Sequence, residues 1–244
     1  MSQPPRFFID PSQIAGAQIV ITGDDVRHIR TVLRMGPGDM LALLDGKGME
    51  YGARITESGR DGIVCEMVIQ AKHEITGPRV TLGQGIAKAD KMDWIVQKAA
   101  ELGATTVVPL VTERTIVKVR DEKQRVGRWQ KIAREAAMQS RRLDIPVVGT
   151  VMSYDRFLAN LVPGPASLFL MPWEEGTRPL KDVLRSYPAA ADITVLIGPE
   201  GGFSLSEAKA AQDRGFQAAS LGPHILRTET AAVAVLSMIR YEYT

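Results

Sequence analysis

Apolar residues recur along this chain in two rhythms, and the change between them falls near residue 78. Before it the apolar runs are short and punctuated by turn residues, which predicts strands over 6–9, 18–21, 39–44, 51–55 and 62–69. Asp45-Gly46-Lys47-Gly48 is a hairpin turn signal between two of them, and one short helix is predicted over 24–33. Several short strands with regular turns predict a small β-barrel. Residues 71–78, polar and ending in Gly77-Pro78, form the linker. From Arg79 onward strands alternate with longer helices, the pattern of an α/β domain with a mostly parallel sheet. A strand over 80–82 leads to a helix over 90–102, with Asp90 as its cap and Met92, Ile95, Val96, Ala99 and Leu102 as its apolar stripe. Gly103 stops that helix, and a strand follows over 106–111. The next helix, over 122–143, buries Val126, Trp129, Ala133, Ala136 and Leu143, and Pro146 ends it. Further strands are predicted over 167–170 and 193–197, with a helix over 179–186 between them.

Two stretches near the end stand out. The apolar run 193–197 breaks into Gly198-Pro199-Glu200-Gly201-Gly202-Phe203-Ser204, and Ser204-Leu205-Ser206-Glu207 is a capping box that opens a helix. The second stretch, Leu221-Gly222-Pro223-His224-Ile225-Leu226-Arg227-Thr228-Glu229-Thr230-Ala231, runs into a small-residue helix. Open α/β sheets bind ligands where buried strands end in tight loops, because backbone groups are accessible there. The first loop lacks the Gly-Lys-Ser/Thr ending of a phosphate loop, and no Gly-x-Gly-x-x-Gly follows a strand. Phosphoryl transfer and dinucleotide binding are therefore poorly supported.

Composition is that of a soluble globular protein, 45% hydrophobic and 24% charged, with no apolar run of membrane-spanning length. The first residues lack the apolar core of a secretory signal. The single cysteine, Cys65, excludes an internal disulfide, fits a reducing cytoplasm and sits in an apolar run as a buried, inert thiol. His28, His73 and His224 share no ligand spacing, so no metal site is expected. The net charge of +2 hides an uneven distribution: residues 73–150 carry 14 Lys and Arg against 9 Asp and Glu. Ten of those basic residues lie between Arg114 and Arg142, against three acidic ones. Such a block is the footprint of a polyanion partner, or else a solvated helix face.

The two loops together resemble the RsmE family of ribosomal RNA methyltransferases, in the SPOUT superfamily. Matches elsewhere agree in order: Arg6-Phe7-Phe8, His28 with Val32-Leu33-Arg34, Gly36-Pro37-Gly38-Asp39, Lys98-Ala99-Ala100-Glu101-Leu102-Gly103, Glu113-Arg114, and Glu135-Ala136-Ala137 with Gln139-Ser140. The resemblance implies a PUA-like β-barrel RNA-binding domain over 1–72. It also implies an α/β SPOUT methyltransferase domain over 73–244, with a mostly parallel sheet and a deep C-terminal trefoil knot. It implies a cytoplasmic homodimer that binds S-adenosylmethionine in the knot and methylates N3 of one uridine in 16S rRNA of the small ribosomal subunit. Two other readings are methylation of another RNA position, such as a ribose 2′-oxygen, and a non-catalytic RNA-binding assembly factor. His224, Met138 and Arg141 depart from the family pattern.

On this resemblance the cofactor is gripped by Leu196, Ile197, Gly198, Pro199, Glu200, Gly201 and Gly202. The second group is Leu221, Gly222, Pro223, Ile225, Leu226, Arg227, Glu229, Thr230 and Ala231, with Leu170 and Met171 as a third wall. Arg227 is the candidate to stabilise the deprotonated uracil, because guanidinium stays cationic and offers a planar fork; its other role is a salt bridge to Glu229 or Glu200. Glu200 is either a general base or, preferably, an anchor for its loop. Candidate RNA contacts are Arg6, His28, Arg30, Arg34, Arg114, Lys118, Arg125, Arg128, Lys131, Arg134, Gln139, Arg141 and Arg142. Phosphate contacts of this kind supply affinity rather than sequence choice.

Overall fold

The computed structural model describes residues 4–117 and 121–243. They form two compact units: the described residues up to Ile75 together with Ala137–Ile145, and Thr76–Ala136 together with those from Pro146 onward.

The first unit contains β1 (Arg6–Phe8), β2 (Ile14–Ala15), β3 (Gln18–Ile21), α1 (Asp24–Arg27), β4 (Met40–Leu44), β5 (Met49–Ser58) and β6 (Ile63–Lys72). Its six strands lie in the order β1-β4-β5-β6-β3-β2, antiparallel except for β1 beside β4. Strand alternation builds the core: on β3, Ile19 and Ile21 are buried while Gln18 and Val20 face out. They pack with Phe7, Ile29, Leu41, Leu43, Ile55, Ile63 and Cys65. The Asp45 carboxylate fixes the β4–β5 turn by accepting from the amides of Lys47 and Met49. The helix predicted over 24–33 is shorter. After α1 the chain widens into one π turn, His28–Val32, and Arg34 at φ 56° reverses it.

The second unit contains β7 (Arg79–Gly85), α2 (Lys91–Glu101), β8 (Thr106–Val111), α3 (Glu122–Gln139), β9 (Val147–Val148), β10 (Met152–Ser153), α4 (Tyr154–Ala159) and β11 (Ser167–Pro172). It continues with β12 (Arg178–Pro179), α5 (Leu180–Arg185), β13 (Asp192–Ile197), α6 (Leu205–Asp213), β14 (Gln217–Ser220) and α7 (Thr228–Tyr243). Every pairing in the sheet is parallel, in the order β10-β8-β7-β13-β11-β14-β12 with β9 also on β8. Helices cover both faces, as a parallel sheet requires. Val80, Leu82, Val195 and Ile197 meet α2, α3, α5 and α7 on one face, while Leu110, Met171 and Leu196 meet α4 and α6 on the other.

Three local expectations are corrected. Asp90 makes no capping hydrogen bond, since its backbone is already helical; Asp93, one turn in, instead accepts from the indole of Trp129. The helix expected over 122–143 stops at Gln139, because Arg141 takes φ 59° and the amide of Arg142 turns back to the Ala137 carbonyl. Leu143 then packs with Phe8, Leu44 and Ile145. Thirdly, the final helix opens at Thr228, four residues before the small-residue run.

Candidate functional site

Three chain segments meet at the C-terminal ends of β11, β13 and β14. β13 delivers the loop 198–203, which closes a turn with the Gly202 amide donating to the Pro199 carbonyl at 2.9 Å; Gly202 sits at φ 68°, a conformation that favours glycine. Phe203 anchors the loop in the core and Ser204 caps α6. The buried Glu207 completes that cap by accepting the Ser204 amide at 2.9 Å, and its other oxygen accepts the amide of Glu113 at 2.8 Å. The chain following β8 is thereby tied to the loop, and Arg114 reinforces the tie. Its guanidinium donates to the Gly201 carbonyl at 2.8 Å, and its Cβ lies 3.1 Å from where a Gly201 side chain would begin.

The second segment leaves β14 at Ser220 and enters α7 at Thr228. Thr228 is buried, and its hydroxyl donates to the Gly198 carbonyl at 2.6 Å. The side-chain amide of Gln84, fully buried at the end of β7, donates to the Thr228 hydroxyl at 2.9 Å and to the Gly85 carbonyl at 2.9 Å. The third segment follows β11, where the Trp173 amide donates to the Ala219 carbonyl of β14.

Between them lies a cavity of about 410 Å³ lined by Lys91, Pro172, Trp173, Glu174, residues 197–203, residues 225–228 and Ala231. A smaller cavity of about 130 Å³ is walled by residues 172–174, 220–226 and Ala231. Ile197, Gly198, Pro199, Glu200, Gly201, Gly202, Ile225, Leu226, Arg227 and Ala231 thus line the larger cavity, and Leu221, Gly222 and Pro223 line the smaller. Leu170, Met171 and Leu196 do not line either; their side chains are buried in the two cores, and the wall on that side is the next residues, 172–174. Glu229 stands beside the cavity in the first turn of α7, and Thr230 is exposed on the same helix.

Two of the acidic groups, Glu200 and Glu229, are already engaged. Lys91 reaches both carboxylates, lying 3.3 Å from Glu200 and 3.3 Å from Glu229. Burial pushes the Glu200 carboxyl up, but the Lys88 amide (3.0 Å) and the Lys91 ammonium more than offset this and hold it below the usual range. For Lys91, burial works against the charge, yet its ion pairs with Glu229 and Glu200 raise it above its ordinary value. Glu200 in this state is a weak base and an effective anchor. Arg227 lines the cavity, exposed, and among the described residues it makes no ion pair with Glu200 or Glu229.

The candidate RNA contacts scatter more widely. Arg30 and Arg34 are exposed in the first unit, and His28 packs edge-on against Phe7. Arg6 pairs with Glu50 at 3.4 Å. On α3, Arg125 is half-buried, Lys131, Arg134 and Gln139 are exposed, and Arg128 pairs with Asp93. Arg141 is exposed, whereas Arg142 is paired with Asp144. Arg114 is exposed but grips the Gly201 loop, and Lys118 lies outside the described residues. Burial pushes the Cys65 thiol up to about 11, so it is unreactive at neutral pH. No group of three or more potential metal ligands occurs among the described residues.

Gln84, Lys91, Trp173, Glu174 and Thr228 belong to the site and were not among the expected contacts. The dipeptide Trp173-Glu174, directly after an apolar run, was the one sequence signal available.

Comparison with known proteins agrees across both units. Residues 75–240 match the model of an RNA methyltransferase domain, and residues 21–68 that of an RNA methyltransferase PUA domain. The chain is 33% identical to the ribosomal RNA small subunit methyltransferase E of Bacillus subtilis, over 97% of this chain and 96% of that one. A crystal structure of the enzyme of that name from Neisseria gonorrhoeae, bound to S-adenosyl methionine, superposes with a TM-score of 0.87 at 32% identity, covering 98% of each chain. A putative methyltransferase of Legionella pneumophila, in complex with the same cofactor, gives 0.86 at 29% identity over 98% of each. The chain, with its PUA domain followed by a parallel α/β domain, belongs to the RNA methyltransferase family.

Proposed function

We propose that this protein is an S-adenosylmethionine-dependent methyltransferase that modifies N3 of a uridine in the 16S rRNA of the small ribosomal subunit. The observation that carries this reading is the cavity walled by residues 197–203 and 225–228, with Arg227 in its lining and in no ion pair among the described residues. Its volume is within the range of about 300–1,000 Å³ typical of small-molecule sites. The donor set fits the cofactor: backbone amides and carbonyls from the 198–203 and 221–226 segments suit an adenine and a ribose, and Trp173 offers an apolar wall.

When bound, the cofactor supplies an electrophilic methyl group on a sulfonium. The protein's work is to orient, to exclude water and to make N3 a nucleophile. Uracil N3 must lose its proton before it can attack. Arg227 supplies a fixed positive charge for the resulting anion, a role that a guanidinium keeps at any physiological pH. Lys91, by engaging Glu200 and Glu229, keeps their negative charge from opposing that anion.

The family's deep trefoil knot is part of the same proposal. The bond from Thr228 to Gly198 and the packing of α7 on the α2 face of the sheet set the last helix against the strand ends where such a knot would close. We also place the protein in the cytoplasm as a homodimer, for which the exposed Met238 and Tyr241 of α7 offer apolar surface.

Calorimetry with S-adenosylmethionine tests the cofactor assignment. Saturable binding, weakened by substitutions at Gly198 or Thr228, is expected; absence of binding would leave an RNA-binding assembly factor instead.

A further inference from the structure

Arg114 holds an unusual position for a surface arginine. It lies in a turn that does not yield easily: the Thr115 amide donates to the Thr112 carbonyl, the Thr112 amide to the Thr115 hydroxyl at 2.9 Å, and the Glu113 amide to the buried Glu207. From this turn its side chain crosses Gly201, which has no Cβ to obstruct it, and donates to the Gly201 carbonyl at 2.8 Å. Gly201 lines the 410 Å³ cavity. A guanidinium has five N–H donors in a planar fork, and no acidic side chain pairs with this one among the described residues. The residue is exposed.

We propose that Arg114 is a positioning residue that couples RNA binding to cofactor binding. One N–H fixes the Gly201 loop from outside the cavity, and the donors left over take an RNA phosphate. A phosphate on the far side of the fork holds the guanidinium in the orientation that grips the Gly201 carbonyl, so the loop loses less freedom when the cofactor binds. By linkage the effect is reciprocal: the cofactor tightens RNA by the same factor as RNA tightens the cofactor. The inference rests on the RNA methyltransferase reading above.

The test is equilibrium dialysis of labelled S-adenosylhomocysteine, which does not turn over, with and without unmethylated small subunits. Wild type is expected to bind it about fivefold more tightly with subunits present, the lower end of typical coupling. R114Q keeps a donor for the Gly201 carbonyl but no charge, and is expected to bind the nucleoside equally well with and without subunits, so that the ratio falls to about one. R114K, with charge but no fork, should restore part of the ratio. A wild-type ratio in R114Q or R114A overturns the proposal. So does a wild-type protein that binds subunits yet shows no coupling, or an R114A whose affinity falls equally with and without subunits, the mark of a purely structural clamp. If wild type binds neither subunits nor nucleoside, the methyltransferase reading itself fails, and this inference with it.

Discussion

The Thr228 hydroxyl donates to the Gly198 carbonyl at 2.6 Å, joining the first turn of the last helix to the loop that leaves the central strand β13. Thirty residues of chain separate the two, and the contact is partly buried, with Thr228 itself buried. Gln84 closes the arrangement from β7, so three segments converge on one hydroxyl.

Replacing Thr228 with Val removes that hydroxyl without changing its shape and leaves the Gln84 amide short of an acceptor. A loss of about 1–3 kcal/mol in stability is expected, the cost of an unsatisfied buried polar group, together with weaker cofactor binding. T228S should retain most of both. Thermal melts and calorimetry on the two variants measure this.

Arg227→Ala should leave cofactor affinity within a few-fold of wild type and lower kcat by about 10²–10³, the usual effect of removing one charge-stabilising donor. Normal turnover in R227A would remove Arg227 from the chemistry.

The Glu200–Lys91–Glu229 group gives a pH expectation with a definite sign. Glu200 has a lowered folded pKa, so its contribution is complete above the ordinary carboxylate value and is lost as pH falls through the lowered one. Lys91 is raised, so its contribution is complete below the ordinary lysine value and is lost as pH rises through the raised one. The contribution of Glu200 and Lys91 to folding stability should therefore be flat from about pH 5 to about pH 10, as thermal melts across that range would show. E200Q should keep the pH–rate profile of wild type at reduced cofactor affinity. Loss of the ascending limb in E200Q would make Glu200 the general base.

Glu207→Ala strands two amides at once, those of Ser204 and Glu113. Its cost should reach about 2–4 kcal/mol, roughly two unsatisfied donors, and urea denaturation should show it. E207Q, which keeps one good acceptor, should lose about half as much.

The first loop was legible because glycine and proline after a buried apolar run mark a strand end, the second because its own glycine and proline lead into a small-residue helix, and both adjoin one cavity. The alternation of strand and helix after residue 78 carried the parallel sheet for the same reason. Gln84 was not legible, nor was the part that the Thr228 side chain plays within its stretch, since a single buried polar residue leaves no periodic trace. β14 escaped because Gln217-Ala218-Ala219-Ser220 is too small and polar to read as a strand. Arg114 looked like one more member of a basic block; only the steric fit to Gly201 separates it from the rest. The break of the basic helix at Arg141 had no glycine to announce it.

RNA affinity offers a further check on the first unit. Substituting Ala for the exposed Arg30 and Arg34 should weaken binding to small subunits and lower the salt dependence by about one unit of slope for each phosphate no longer neutralised. An unchanged slope would place the RNA elsewhere.

The most direct measurement is methyl transfer from labelled S-adenosylmethionine to small subunits from cells lacking this protein, followed by digestion and mass identification of the nucleoside. The expected product is N3-methyluridine, at one site in 16S rRNA and formed about 10²–10³ times more slowly with R227A. A 2′-O-methylated nucleoside, or no incorporation by a protein that binds both cofactor and subunits, would contradict the account.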